Sequence, residues 1–339
     1  MNNIFIYCEI EDGIVADVSL ELLSKGRKLA DQLGCKLEAI AIDKNLSEIG
    51  AQIFPYGADV IHVADDEKLS PYQTLPHAKI VISLLEAQKP QIVLFGASSV
   101  GRDLAPRVAS SLRCGLTADC TSLEIGDHYE KKHDKTYSNL LYQIRPAFGG
   151  NIIATIINPD MHPQMATVRE GVMKKEIFDA AHKGEVKKID YNSYLSSADF
   201  VVQIIERHIE KSKLNMKGAP IVVAGGYGVG SKENFKYLFE LAEVLGGEVG
   251  GSRAAVDAGY IDHERQIGQT GITVRPKLYI ACGISGQVQH RAGMDESVMI
   301  ISINTDANAP INSLADYVII GDVAEVLPKM IKYYKANSK

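Results

Sequence analysis

The sequence predicts an α/β protein of two domains, each built on a largely parallel, Rossmann-like, doubly wound sheet. Three observations point to this. Short apolar runs of strand length alternate with amphipathic stretches along the chain. The alternation breaks off near residue 208 and then restarts. In the second half the apolar runs end abruptly on glycine or on short polar side chains, as buried parallel strands do where they turn into helices.

In the first half, Ile4 to Tyr7, Lys36 to Ile42, Asp59 to Val63 and Ile92 to Phe95 read as strands. Val18 to Leu33 places Leu22, Leu29 and Leu33 at helical spacing and closes on Gly34; Ser70 to Gln88 is a second helix. The run Gly96 to Asp103 opens a third helix, Leu104 to Leu112. It lacks the Lys-Ser/Thr pair of a phosphate loop, so a structural junction is expected. Asn139 to Arg145, Asn151 to Ile157 and Met165 to Arg169 read as further, partly antiparallel strands, with Gly149-Gly150 and Asn158-Pro159-Asp160 as turns. Phe200 to Lys213 is a charged amphipathic segment, and 214–220 is a polar connector marked by Gly218 and Pro220. The expected domains are therefore 1–207 and 208–339, with a hinge near 206–217.

Length and composition set the bounds. The 339 residues, 46% apolar and 23% charged, suffice for two cores. A formal charge of −6 and the absence of a dense Lys/Arg cluster argue against nucleic acid. The N-terminus runs straight into a strand, and no apolar segment approaches the ~20 residues of a membrane helix, so a cytoplasmic protein without membrane insertion is expected. Five cysteines without a C-x-x-C pair suit free thiols and give no metal site.

In the second half, Ile221 to Ala224 feeds Gly225-Gly226-Tyr227-Gly228-Val229-Gly230-Ser231, an incomplete dinucleotide fingerprint, before a helix from Glu233 to Leu245. Leu278 to Ala281 is a buried strand, and Cys282 beside it reads as a small buried thiol. Gly283, Ser285 and Gly286 then turn the chain into a helix opening at Gln287 to Ala292. Unpaired N–H groups at such a start attract a phosphate or other anion. Strand Val298 to Ile303 ends at Asn304-Thr305-Asp306, and strand Tyr317 to Ile320 ends at Gly321-Asp322. Short amides and carboxylates at that edge suit ribose hydroxyls and an adenine, or simply cap the next helix. Between the strands, Arg253 and the polar loop of Gln266, Gln269 and Thr270 offer donors without a nucleophile, which suits holding a redox cofactor better than cleaving a bond.

These stretches carry a resemblance. GSRAAVDAG, QIGQTG and LYIACGISGQVQHRAGM, followed by INTDANAPI and ADYVIIGD, resemble the FAD-binding domain of the electron transfer flavoprotein alpha subunit. FGASSVGRDLAPRVA and RPAFGGNIIATI resemble that subunit's first domain, so the likeness spans nearly the whole chain. It implies FAD in the second domain and a first domain that packs against a beta subunit without its own cofactor. It places Ser252 and Arg253 beside the flavin ring, with Gln266, Gln269 and Thr270 in the loop that contacts it. Ser285, Gly286, Gln287 and Gln289 fall at the pyrophosphate turn and its helix, His290 near the flavin C2 carbonyl, and Asn304 and Asp322 toward the adenosine; Asp306, at the same strand end as Asn304, is counted with them as cofactor-binding. The implied function is shuttling single electrons to or from a partner such as an acyl-CoA dehydrogenase. In a bifurcating variant the beta subunit would hold a second FAD, accept hydride from NADH and pass electrons onward to ferredoxin or flavodoxin as well.

The side chains suit that role. A flavin that gains an electron without a proton carries negative charge over its pyrimidine side, where a cation raises its potential. Arg253 and His290 are the expected tuning groups. One departure stands out: many relatives have an arginine where this chain has Tyr227, and a neutral phenol supplies no charge. Two rival classes remain open on the residues alone. A self-contained nicotinamide-dependent dehydrogenase would need His290 as its proton-handling group, and a regulatory nucleotide-binding module would have no redox role.

Overall fold

The computed structural model describes residues 3–147, 152–206, 216 and 218–337. These form two compact units, one on each side of the chain stretch at 207–215.

The first unit is built on a seven-stranded sheet. Its order is Glu185–Lys188, Val60–Asp65, Leu37–Asp43, Ile4–Cys8, Ile92–Gly96, Gln164–Val168 and Leu116–Cys120, and every pairing is parallel. Alternate residues of Ile4–Cys8 enter opposite cores, as the two-residue period of a strand requires. Ile4 and Ile6 meet Leu22, Leu23 and Leu29 of helix Asp17–Leu33. Phe5 and Tyr7 join helices Thr74–Gln88 and Ser99–Leu112 on the other face. The second of these helices begins five residues earlier than expected because Ser98 caps it, its Oγ accepting from the Gly101 N–H at 3.0 Å.

The expected antiparallel strands belong to a separate three-stranded sheet, Ile152–Ile156, Lys135–Ala147 and Ser122–Glu130. The Met165 stretch does not join them; Gln164–Val168 is a parallel strand of the main sheet. Ser122–Glu130 and Glu185–Lys188 were not expected as strands. Both are largely polar, and EVKK lies fully exposed at a sheet edge, where charge blocks further pairing and erases the apolar signal.

The second unit carries a five-stranded parallel sheet of order Glu248–Gly251, Ile221–Gly225, Leu278–Cys282, Ile300–Asn304 and Tyr317–Ile320. Numbered along the unit this is 2-1-3-4-5, a doubly wound order whose direction reverses between Ile221–Gly225 and Leu278–Cys282. Its two faces are covered differently. Val223, Ile280, Cys282 and Ile303 pack against helices Phe235–Leu245 and Val323–Asn337. Val222, Ala224, Tyr279 and Ala281 pack instead against loop residues Ile267, Val274, Ile284 and Met294. Helix Val323–Asn337 was not anticipated; its interior Pro328 reads as a break in the sequence. The expected 206–217 hinge, apart from residues 206 and 216, lies outside the described residues, as do the Gly149-Gly150 turn and Asn151.

Candidate functional site

All thirteen residues singled out in the second half follow the carboxyl ends of this sheet's strands or lie on the loop that joins two of them. The centre is the switch point. There the turn after Ile221–Gly225 meets the turn after Leu278–Cys282 backbone to backbone: the Gly226 N–H donates to the Cys282 carbonyl at 2.8 Å, and the Gly228 N–H to the Gly283 carbonyl at 3.0 Å. No side chain fits between them. A Cβ on Gly228 would lie 2.8 Å from the Gly283 oxygen, and one on Gly283 would lie 2.6 Å from the Gly228 carbonyl carbon. Gly283 and Gly286 also sit at φ +59 and +81, in the left-handed region glycine adopts at low cost.

Beyond Gly283 the chain turns sharply, and among the described residues no hydrogen bond reaches the backbone N–H of Ser285, Gly286 or Gln287. Ser285 and Gln287 are exposed. The helix that follows, Val288–Arg291, has only four residues, shorter than the sequence suggested. What the turn offers an anion is therefore a row of unpaired N–H groups, not a long helix dipole.

Two further segments attach nearby, one to the end of strand Ile221–Gly225 and one to Gln289. Ser252 follows strand Glu248–Gly251, caps helix Arg253–Asp257 by accepting from the Ala255 N–H at 3.4 Å, and so puts Arg253 at the helix start. Arg253 is largely exposed, its Nε 3.4 Å from Asp257 at the i,i+4 position. The Gln266–Gly271 loop is tied at both sides. The Ile267 N–H donates to the Gly251 carbonyl at 2.8 Å, and the Gln269 N–H to the Gln289 carbonyl at 2.7 Å. Within it the buried Gln266 amide donates to the Thr270 hydroxyl at 2.9 Å, which leaves the hydroxyl proton free to point elsewhere.

The outer positions have local partners. Asn304, 9% exposed, donates to the Ile284 carbonyl at 2.9 Å and accepts from the Asp306 N–H at 3.1 Å. It thereby braces the Gly283–Gly286 turn from the neighbouring strand. Asp306 accepts from the Asn308 N–H, and Asp322 from the Ala324 N–H, so both make the capping contacts that were the bland alternative for them. Their side chains remain exposed.

His290 departs most from expectation. It is 7% exposed, and both ring nitrogens are engaged inside the protein: Nε2 lies 2.9 Å from the Tyr279 hydroxyl and Nδ1 3.1 Å from the Ile267 carbonyl. Burial pushes its pKa down to about 4, against the small upward pull of the Ile267 carbonyl. At neutral pH it therefore supplies no positive charge, whereas Arg253 at the helix start carries one. An uncharged ring with both nitrogens occupied also leaves a nicotinamide dehydrogenase without its proton-handling group. Cys282 is fully buried, its thiol pushed up to about 12 by burial, and is chemically quiet.

Sequence reading missed Tyr279, the hydroxyl that faces His290, and Tyr260. Tyr227 is 64% exposed and stacks on Tyr260 at 5.9 Å and 16°, while the Tyr260 hydroxyl donates to the Gly230 carbonyl at 2.9 Å. Nothing in a lone tyrosine after Gly259 signals that pairing.

A parallel sheet that reverses its winding beneath two glycine turns, with unpaired N–H groups just beyond them, is the arrangement of a nucleotide-cofactor-binding protein. Comparison with known proteins makes this specific. The family profile "Electron transfer flavoprotein domain" matches residues 4–193, and "Electron transfer flavoprotein FAD-binding domain" matches residues 215–295. The alpha subunit of electron transfer flavoprotein from Thermoanaerobacterium thermosaccharolyticum is 46% identical, covering 98% of this chain and 98% of the relative. Protein FixB of Clostridium saccharobutylicum is 48% identical over 98% of this chain and 96% of its own. The acryloyl-CoA reductase electron transfer subunit beta of Anaerotignum propionicum is 40% identical over 98% and 95%. The chain belongs to the electron transfer flavoprotein alpha-subunit family. Its function is electron transfer and its cofactor is FAD. Among the described residues no helix is long and apolar enough to cross a membrane.

The site fits that group. Two glycine turns leave no side chain over the switch point, unpaired N–H groups suit a pyrophosphate, and a loop of amide and hydroxyl donors lies between Gly251 and Gln289.

Proposed function

We propose that FAD lies along the carboxyl edge of the second domain, with its pyrophosphate on the Ser285, Gly286 and Gln287 turn beside Gln289. The isoalloxazine then sits by Ser252, Arg253, Gln266, Gln269 and Thr270, and the adenosine points toward Asn304, Asp306 and Asp322. The observation that carries this reading is the unpaired N–H row directly above the sheet's reversal point.

When bound, FAD supplies a centre that takes up and releases electrons one at a time. The protein's share is electrostatic. The exposed Arg253 guanidinium adds positive charge at the edge of the site. The Gln266 amide is held by Thr270 and does not have to reorganise, and the Thr270 hydroxyl keeps a proton to donate. His290, neutral and enclosed, exchanges no proton at neutral pH. Such a site holds charge without driving proton transfer.

The first domain, 1–207, packs against a beta subunit in this reading, and the FAD domain occupies 208–339. An acyl-CoA dehydrogenase-type flavoenzyme is the proposed electron partner, supported by the relative named for acryloyl-CoA reductase. We place the pair in the cytoplasm. In the bifurcating form NADH is the donor and ferredoxin or flavodoxin the second acceptor. Adding NADH to the FAD-loaded pair, with the dehydrogenase and its enoyl-CoA acceptor and with or without ferredoxin, separates the two forms. Ferredoxin reduction that requires the acceptor supports bifurcation. Flavin reduced only by acyl-CoA and its dehydrogenase supports a simple shuttle, and no flavin reduction by any of these donors defeats the reading.

A further inference from the structure

We propose that Glu9 keeps phosphate-bearing ligands out of the first domain: its carboxylate occupies that domain's own switch point, where a bound phosphate would have to sit. The FAD-binding domain has glycine at the matching position.

The two sheets reverse in the same way. From the central strand Ile4–Cys8 the chain winds to Leu37–Asp43 and Val60–Asp65 on one side, then crosses to Ile92–Gly96 on the other. From Ile221–Gly225 it winds to Glu248–Gly251, then crosses to Leu278–Cys282. Ligands of such sheets sit beyond the carboxyl ends of the two strands that flank the reversal. In the second domain the residue that follows the first of these strands is Gly226; in the first domain it is Glu9.

Glu9 is built into the crevice. Its backbone N–H donates to Ser19 Oγ at 2.8 Å and its carbonyl accepts from the Ala16 N–H at 2.9 Å, which fixes where the side chain starts. Its Oε1 accepts from Ser98 Oγ at 2.7 Å, and the same Oγ accepts from the Gly101 N–H at 3.0 Å. The carboxylate thus faces the first turn of helix Ser99–Leu112 across its capping serine. Two glycines make the room for it. A Cβ on Gly96 would lie 2.7 Å from Glu9 Oε1, and one on Gly101 would lie 3.4 Å from the same atom. The gap between strand end and helix start is therefore filled by this side chain.

The arginines of this edge are already paired. Arg102 and Arg169 both lie against Asp119. Burial raises the Glu9 carboxyl above its usual range, the Ser98 hydrogen bond pulls it back, and Glu170 adds a further negative field. The Ser99 and Val100 N–H groups donate to no acceptor among the described residues. A phosphate brought to them would meet a like charge and an occupied gap.

The test uses the FAD-loaded full-length chain with its beta subunit, and inorganic phosphate and ADP as probes. Only this chain carries 15N-valine, so sites on the partner are silent, and the Val100 amide is assigned by Val100→Ile. In the wild type that amide should not shift with either probe in the millimolar range. A saturable shift there overturns the proposal without any variant. Glu9→Ala should gain a saturable Val100 shift, with affinity for phosphate raised about tenfold or more. Glu9→Gln keeps the volume and removes the charge, and should gain the same response more weakly. No response to phosphate in a folded Glu9→Ala or Glu9→Gln complex, with folding checked by thermal unfolding, overturns the proposal. FAD content should stay at the wild-type value throughout. Loss of FAD from a folded Glu9 variant would tie Glu9 to the cofactor of the second domain and overturn the proposal as well.

Discussion

Gly226→Ala probes the switch point directly. A Cβ at this position would lie 2.7 Å from the Gly283 carbonyl carbon and 2.8 Å from the Ile284 Cα, and closer still to the Gly283 oxygen. Comfortable carbon–carbon contact begins near 3.5–4.0 Å, so the two turns would have to part by about 1 Å. All the obstructing atoms are backbone, so no rotamer change relieves them. The separation would stretch the Gly226–Cys282 and Gly228–Gly283 hydrogen bonds past useful length. Two backbone bonds at about 1 kcal/mol each, with about 1 kcal/mol or more of overpacking, give a loss of about 2–4 kcal/mol. A domain stable by about 5–15 kcal/mol survives that, but the N–H row at Ser285–Gln287 moves with the Gly283 turn. FAD binding should weaken about 100-fold, measured by flavin fluorescence titration beside thermal unfolding. Gly246→Ala is the control. Gly246 sits at a positive φ, +71, that Gly226 does not share, but its Cβ would meet nothing within 4 Å, so Gly246→Ala should cost about 1 kcal/mol through backbone strain alone and leave FAD affinity unchanged. Wild-type FAD affinity in Gly226→Ala would refute the assignment of the crevice.

Three further outcomes follow from the same geometry. Arg253→Gln removes the cation at the helix start and should lower the one-electron flavin potential by about 59 mV, one tenfold step, in a spectroelectrochemical titration; an unchanged potential would remove Arg253 from the site. Tyr227→Arg adds a cation at the exposed turn beside Tyr260 and should raise the potential, and an unchanged value would mean that another group already supplies that charge. His77 and His290 fold neutral, with pKa values near 4 against 6.5 for the free side chain, so the unfolded chain takes up these protons first. Their contribution to stability is whole above pH 6.5 and falls as pH drops toward 4, by about 1.4 kcal/mol per pH unit for each histidine. Urea unfolding at pH 7 and pH 5 should show the loss, and equal stabilities would contradict the buried neutral rings.

The sheets were legible wherever burial writes itself into the sequence. IFIYC, IVLFG, IVVAG and LYIAC are apolar on both faces and flanked by turn residues, so their strands and their glycine endings could be placed directly. EVKK was not, because a parallel edge strand draws its stability from backbone pairing and leaves its side chains to water. At the site, the glycine turns and the donor-rich loops announced themselves by composition. The state of His290 did not. Whether a histidine is a cation or a neutral strut depends on which groups face its two nitrogens, and Tyr279 lies eleven positions away on a strand whose pattern says only that it is buried. The same holds for Tyr227 and Tyr260, paired across 33 residues of chain by the proximity of the turn and the Ala255–Tyr260 segment.

The most direct test of the central claim is a crystal structure of the FAD-loaded protein with its beta subunit. It should show the pyrophosphate of this chain's FAD against the N–H groups of Ser285, Gly286 and Gln287, with the flavin ring beside Arg253 and the Gln266–Thr270 loop. FAD bound elsewhere on the second domain, with those N–H groups turned inward onto protein acceptors, would contradict it.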